Sequence, residues 1–188
     1  MDLTPALSLP LLGILIGLVL LGAHLFALLT RDVCLPVMRS IPRSRAWGTA
    51  FLILTSLWLV AFLQTADLGE FSPMRNMVTL GTLVGAFLLW KFVPDFLSSR
   101  CIGFLLLLAA HPLLQTTFLQ SGFLHFALAA LAYVWATTGL FLVGMPYLHR
   151  DAIAWLSSSK ARWNLACWGG ILYGAALLID GLRLMVLA

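Results

Sequence analysis

Long apolar runs, separated by short stretches rich in basic residues, are the feature that most limits how this chain can fold. The chain is 62% hydrophobic and 10% charged, whereas a soluble domain carries about 25% charged residues. A single soluble core cannot bury this much apolar surface. Runs of about 20 apolar residues match a hydrocarbon layer of about 30 Å. Backbone groups in lipid must pair within their own segment, so each run is predicted to be a helix.

The predicted fold is all-α, a polytopic membrane bundle of six transmembrane helices forming a single membrane domain over residues 1–188. The helices are expected near residues 10–30, 47–65, 77–93, 101–119, 123–144 and 165–188. Their order predicts three hairpins, at about residues 10–65, 77–119 and 123–187.

The apolar run of each odd-numbered predicted helix ends in an apolar residue followed by a proline, at Pro36, Pro94 and Pro146, and a basic stretch comes next. In the first of these bends, Pro36 and Pro42 are expected to stop any continuous helix.

The third bend is longer and contains an amphipathic pattern. Its apolar residues recur at helical spacing, at Leu148, Ala152, Trp155 and Leu156. This spacing predicts a short helix lying in the membrane interface between helices 5 and 6. An ordinary loop is the alternative.

The basic residues predict the orientation. Nine of the eleven lie in or beside the three bends, namely Arg31, Arg39, Arg43, Arg45, Lys91, Arg100, Arg150, Lys160 and Arg162. The positive-inside rule therefore places the bends in the cytoplasm and both termini outside, in a membrane interpreted as a bacterial inner membrane. Because the positive charge sits in short loops between apolar runs, it indicates topology and contact with lipid, and nucleic-acid binding is not expected.

Pairs of glycines four residues apart occur in three predicted helices. Such pairs allow two helix backbones to approach closely, so all three are predicted to be helix-packing sites. The pairs are Gly13 with Gly17, Gly81 with Gly85, and Gly170 with Gly174.

A polar patch is predicted near the middle of the fourth helix. His111 and Gln115 share a face, Thr116 is adjacent, and Pro112 removes one backbone hydrogen bond. Polar groups at this depth are a candidate ligand, proton or pore site. The alternative is a polar clasp between helices, with Gln64, Thr65 or Tyr133 as partner.

No catalytic motif is recognised, and neither a metal site nor a cofactor is expected. The three cysteines lack a close pair of the C-x-x-C kind. Haem held between His24 and His111 is considered and not favoured, because two stray histidines at loose spacing make a poor haem signature.

Asp180 and Arg183 lie three residues apart on the last helix, where they can pair with each other. A contact to another subunit is the alternative interpretation of these two residues.

The preferred functional interpretation is a non-catalytic membrane protein, a structural or accessory subunit of a homo- or hetero-oligomeric membrane complex. Its expected partners are the lipid bilayer and other membrane subunits or copies of itself. A small channel or transporter using the patch around His111 is the first alternative, and a membrane-embedded enzyme is the second.

Overall fold

The computed structural model describes residues 8–187, and no strand occurs in this range. The all-α prediction is therefore confirmed for that part of the chain. The α-helices are α1 (Leu9–Leu29), α2 (Arg31–Ser40), α3 (Arg45–Thr65), α4 (Arg75–Phe92), α5 (Leu97–Thr117), α6 (Phe123–Gly144), α7 (Tyr147–Ser157) and α8 (Lys160–Leu187). Short 3-10 turns at Ile41–Arg43 and Gly69–Met74 precede α3 and α4.

Five of these helices are long and apolar enough to cross a membrane, namely α1, α3, α5, α6 and α8. The chain is thus compatible with a helical membrane protein. The remaining long helix, α4, has 18 residues and carries Arg75 at its start and Lys91 near its end, so its apolar middle is shorter than that of the others.

The first bend differs from its prediction. Pro36 lies inside α2 and does not end it, so the expectation that the prolines prevent a continuous helix here is wrong for Pro36. Proline lacks only its own N–H, and a short helix tolerates one missing hydrogen bond. Pro42 does follow the helix, in the 3-10 turn Ile41–Arg43. In the third bend a helix is present, α7, where the amphipathic pattern predicted one.

The helices pack in an order that differs from their order in the chain. The most extensive contact joins α1 to α8, and the next joins α5 to α6. α3 packs on α5, and α4 packs on α3 at the edge of the bundle. Hence α1 lies along the last helix of the chain, and not along α3, its partner in the predicted first hairpin.

Three clusters of buried side chains hold this arrangement together. The largest joins α1, α5, α6 and α8 around Leu12, Leu113, Leu128 and Leu177. A second joins α2 to α8 through Leu35, Trp163 and Cys167, and a third joins α3 to α5 through Leu52, Leu97 and Cys101. None of these clusters has a buried member from α4, which contains no buried residue.

Side chains satisfy carbonyl groups at helix ends, which have no partner within their own helix. Arg75 donates to the carbonyl oxygens of Leu63 and Ala66 at the end of α3, the second at 2.9 Å. Arg100 donates to the Val143 carbonyl at the end of α6 (2.8 Å), and the Trp163 indole donates to the Ala27 carbonyl of α1 (3.1 Å).

Candidate functional site

Two of the three predicted glycine pairs lie in the contact between α1 and its neighbours. A Cβ atom on Gly17 would lie 2.8 Å from the carbonyl oxygen of Gly174, and a Cβ atom on Gly13 would lie 2.7 Å from the Leu124 side chain of α6. Gly170 faces the ring of His24 so closely that any side chain there would overlap it. Only glycine permits this approach of backbone to backbone and of ring to backbone.

The third pair has no close neighbour among residues 8–187. A Cβ atom on Gly81 or on Gly85 would meet nothing within 4 Å there. For this pair the packing prediction stays a prediction.

A further glycine contact, between α5 and α6, was not predicted. A Cβ atom on Gly103 would lie 2.7 Å from the Gly139 carbonyl oxygen, and the reverse distance is also 2.7 Å. Neither residue belongs to a GxxxG pair. The available signal was weaker: Gly103 follows Ser99 by four residues, the spacing of small residues that permits close helix packing.

The residues of the predicted polar patch do not come together with the proposed clasp partners. The His111 ring is half-buried and packs edge-on against Phe62 of α3, with centroids 4.9 Å apart. Gln115 is exposed, and the Thr116 hydroxyl donates to the Pro112 carbonyl of its own helix at 2.8 Å. α5 continues through Pro112 to Thr117.

The three proposed clasp partners are engaged elsewhere or point outward. Gln64 donates to the Thr79 hydroxyl of α4 at 3.2 Å, and Thr65 donates to carbonyl groups of its own helix. Tyr133 is 64% exposed. The geometry around His111 is thus one of aromatic packing between α5 and α3.

The two histidines considered for haem lie in different helix contacts. His24 donates from Nδ1 to the Leu20 carbonyl (2.7 Å) and its ring fills the space over Gly170 of α8. His111 faces α3. Among residues 8–187, no three His, Cys, Asp or Glu side chains are grouped so as to hold a metal ion.

Asp180 and Arg183 approach each other on α8, with 3.8 Å between Arg183 Nη1 and Asp180 Oδ1. The Asp180 side chain is 17% exposed, whereas that of Arg183 is 71% exposed. Such a long, open ion pair contributes little to stability. Arg183 is available for an external contact.

Hydrogen bonds between polar residues join the three basic bends to one another. The buried Ser98 hydroxyl donates to the Ile41 carbonyl at 2.6 Å. Next to it, Ser99 Oγ shares a 2.9 Å hydrogen bond with His149 Nδ1 of α7. Arg39 of α2 donates to Ser157 Oγ of α7 at 2.9 Å. These bonds tie α2, α5 and α7 into one surface at the basic end.

The Ser99–His149 pair has the atoms of a nucleophile and a base, but its surroundings do not suit catalysis. Ser99 is 0% exposed, so a substrate has no access to its hydroxyl. Burial lowers the pKa of His149 below its ordinary value of 6.5, which keeps the ring neutral near pH 7. The pair therefore links α5 to α7. Nothing in the sequence signals this pairing, because its residues are fifty positions apart.

Comparisons of the chain with protein-family models, with curated proteins and with solved structures give no significant match.

Proposed function

We propose that the chain is a non-catalytic, multi-pass membrane protein that acts as a structural subunit of a membrane complex, and that α4 carries its docking face. The observation that supports this is the open glycine pair of α4. Elsewhere in the chain, Gly17 with Gly174 and Gly103 with Gly139 sit in backbone contacts. Gly81 and Gly85 also lack side chains, but in the described part of the chain nothing lies within 4 Å of a Cβ atom placed on them.

The docking face is the side of α4 that points away from α3. Gly81, Gly85, Leu88 and Phe92 follow at i, i+4, i+7 and i+11, which places them along one stripe of the helix. Thr79, which accepts from Gln64 of α3, lies on the opposite side. Leu88 is 46% exposed and Phe92 is 67% exposed. The residues of the stripe are uncharged and apolar, and the two smallest, Gly81 and Gly85, lie at its start.

The proposed occupant is a second copy of this chain. In a two-fold contact the same residues of both copies face each other. Because the stripe carries no charge, the stripes of two copies can face each other without electrostatic repulsion. Glycines on both copies would also let the two α4 backbones approach closely. A different membrane subunit is the alternative occupant.

The proposal includes six membrane spans, with α4 as the sixth, connected along the chain as three hairpins. The two helices of the first hairpin, α1 and α3, pack on other helices and not on each other. The 18 residues of α4 extend about 27 Å at 1.5 Å per residue, close to the thickness of the hydrocarbon layer. With the nine-to-two division of basic residues, the positive-inside rule places the three bends in the cytoplasm and both termini outside, in a bacterial inner membrane.

Disulfide trapping in membranes tests the docking face. In a chain whose three native cysteines are replaced by serine, Gly85→Cys should give a covalent dimer on oxidation, because a disulfide forms only when Cα atoms approach within about 7 Å. Leu83→Cys, on the side of α4 facing away from the stripe, is the matched control and should stay monomeric.

A second measurement separates the two occupants. The double change Gly81→Leu with Gly85→Leu should convert the protein to a monomer in mild detergent, whereas Gly22→Leu, at an open position of α1, should not. If the unmodified protein is monomeric and a different protein is lost on the double change, the partner is a different subunit. If neither association exists, the proposed function is wrong.

A further inference from the structure

Three adjoining cavities run from the basic end of the bundle into the outer groove between α3 and α4. The first, of about 480 Å³, is lined by Arg43, Arg45, Asp95 and Arg150 among others. The second, of about 410 Å³, shares Arg45 with the first and adds Lys91 and Trp90. The third, of about 320 Å³, shares Trp90 with the second. Neighbouring cavities share lining residues, so they adjoin one another, and together they are called the path.

The entrance of this path carries a positive charge. Arg43, Arg45, Lys91 and Arg150 contribute four positive charges to the first two cavities, and Asp95 contributes one negative charge. Arg150 is paired with Asp151 at 2.7 Å, which leaves Arg43, Arg45 and Lys91 as the available cations. Within residues 8–187, the side chains of Arg43 and Arg45 donate no hydrogen bond and form no ion pair. Both side chains are free to bind an anion at this entrance.

The far end of the path is apolar and open on its outer side. Ile53 and Leu57 of α3 and Phe87 of α4 form its walls, and they are 56%, 66% and 54% exposed. The groove extends along α3 from Thr49 to Leu57, about 12 Å at 1.5 Å per residue. It suits a flexible hydrocarbon chain lying along the bundle.

Trp90 lies at the boundary between the basic and the apolar parts of the path, since it lines a cavity of each kind. Tryptophan prefers the boundary between headgroups and hydrocarbon. Its position indicates that the basic cavities lie at headgroup level and the apolar groove lies at the level of the acyl chains.

We propose that this path is a binding site for an anionic phospholipid. The phosphate and its headgroup occupy the basic entrance, where Arg43, Arg45 and Lys91 bind the negative charge. One acyl chain lies in the groove between α3 and α4. A soluble phosphate would use the entrance alone, so the adjoining apolar groove is what selects a lipid.

The site and the docking face use different residues, and they adjoin where Lys91 Nζ lies 5.3 Å from the ring centroid of Phe92. The groove uses Ala86 and Trp90, on the side of α4 that faces α3, whereas the docking face uses Gly81 and Gly85 on the other side. A bound lipid would fill the space between α3 and α4 and leave the glycine stripe free.

Native mass spectrometry of the full chain in detergent, titrated with dioleoyl phosphatidylglycerol or dioleoyl phosphatidylcholine, tests the proposal. The unmodified protein should bind the anionic lipid about tenfold or more tightly than the zwitterionic one. The double change Arg43→Gln with Arg45→Gln should remove that preference. Arg162→Gln, an exposed basic residue bonded to Ser158 outside the three cavities, is the matched control and should retain it.

A groove variant distinguishes a lipid from free phosphate. Ala86→Phe should fill the groove and weaken phosphatidylglycerol binding, while glycerol phosphate should compete only weakly with the lipid in the unmodified protein. Melting in detergent verifies that each variant is folded, and Lys91→Gln replaces the double arginine variant if that one does not fold. The proposal is overturned if Arg162→Gln weakens binding as much as the arginine change. It is also overturned if glycerol phosphate binds as tightly as the lipid, or if Ala86→Phe has no effect.

Discussion

Gly17 of α1 and Gly174 of α8 are each in contact with the other's backbone: a Cβ atom on Gly17 would lie 2.8 Å from the Gly174 carbonyl oxygen, and one on Gly174 would lie 2.9 Å from that of Gly17. The two glycines thus lie in a backbone-to-backbone contact between α1 and α8. The most extensive helix contact in the molecule is built around them.

Adding a side chain at this point should separate the two helices. Gly17→Leu is expected to destabilise the bundle by about 1–3 kcal/mol, because the backbone of α8 leaves no space for it. Gly22→Leu, on the same helix with nothing within 4 Å, is the control and should change stability little. Unfolding in detergent measures both. Equal effects of the two changes would contradict the close contact.

The contribution to stability of the hydrogen bond that Arg100 donates at the end of α6 should also be measurable. Arg100→Met removes the 2.8 Å hydrogen bond to the Val143 carbonyl, and leaving a partly buried carbonyl without a partner is expected to cost about 1–3 kcal/mol. Arg162→Met, an exposed position, is the control. If both variants unfold at the same denaturant concentration as the unmodified protein, the Arg100 bond does not stabilise α6.

Stability should depend on pH through His149. Its pKa is lowered by burial, so below pH 6.5 the unfolded chain binds a proton more readily than the folded one. The contribution of His149 is present above the unfolded pKa and is lost as the pH falls from about 6.5 through the folded pKa. Unfolding measured between pH 8 and pH 5 should show a smaller loss in His149→Gln. An identical pH dependence in that variant would be evidence against a buried, neutral ring.

His111 gives a test of the polar-patch hypothesis. Because its ring packs edge-on against Phe62, His111→Phe should preserve thermal stability within about 1 kcal/mol, since aromatic pairs contribute in that range. His111→Ala, which loses the ring contact, should be the less stable of the two. If His111→Phe is instead the more damaging change, the imidazole nitrogens make a polar contact in the membrane.

The orientation can be checked with cysteine accessibility in a chain whose native cysteines are replaced. A cysteine at the exposed Ser72 or Ser121 should react with an impermeant reagent added outside the cell, and one at Ser40 or Ser158 should react only after permeabilisation. External labelling at Ser40 or Ser158 would reverse the proposed topology.

The sequence was sufficient to predict the long helices, because long apolar runs in lipid have one backbone solution. It did not predict α2, since Pro36 was expected to stop a helix there. The segment 123–144 was predicted with the bounds that the structure shows for α6, where Gly122 precedes the run and Pro146 follows it. Helix starts were less accurate. α5 begins at Leu97 and not at residue 101, because the buried Ser98 and Ser99 are helical although they are polar.

The packing order was not predictable in the same way. Apolar helices carry no polar face to indicate which neighbour each will choose. Glycine spacing marked α1 and α8 as packing helices without pairing them, and the Gly103–Gly139 contact has no GxxxG spacing. The Ser99–His149 bond joins two bends, and only the folded chain brings them together.

The contact between α1 and α8 can form only after α8 has been synthesised. α8 is synthesised after α1 and after α2–α7, which lie between them in the chain. α6 supplies the neighbour of Gly13, but Gly17 has no helix against its backbone until α8 has been made. A chain arrested before α8 would therefore leave the backbone of Gly17 open to contact with another helix.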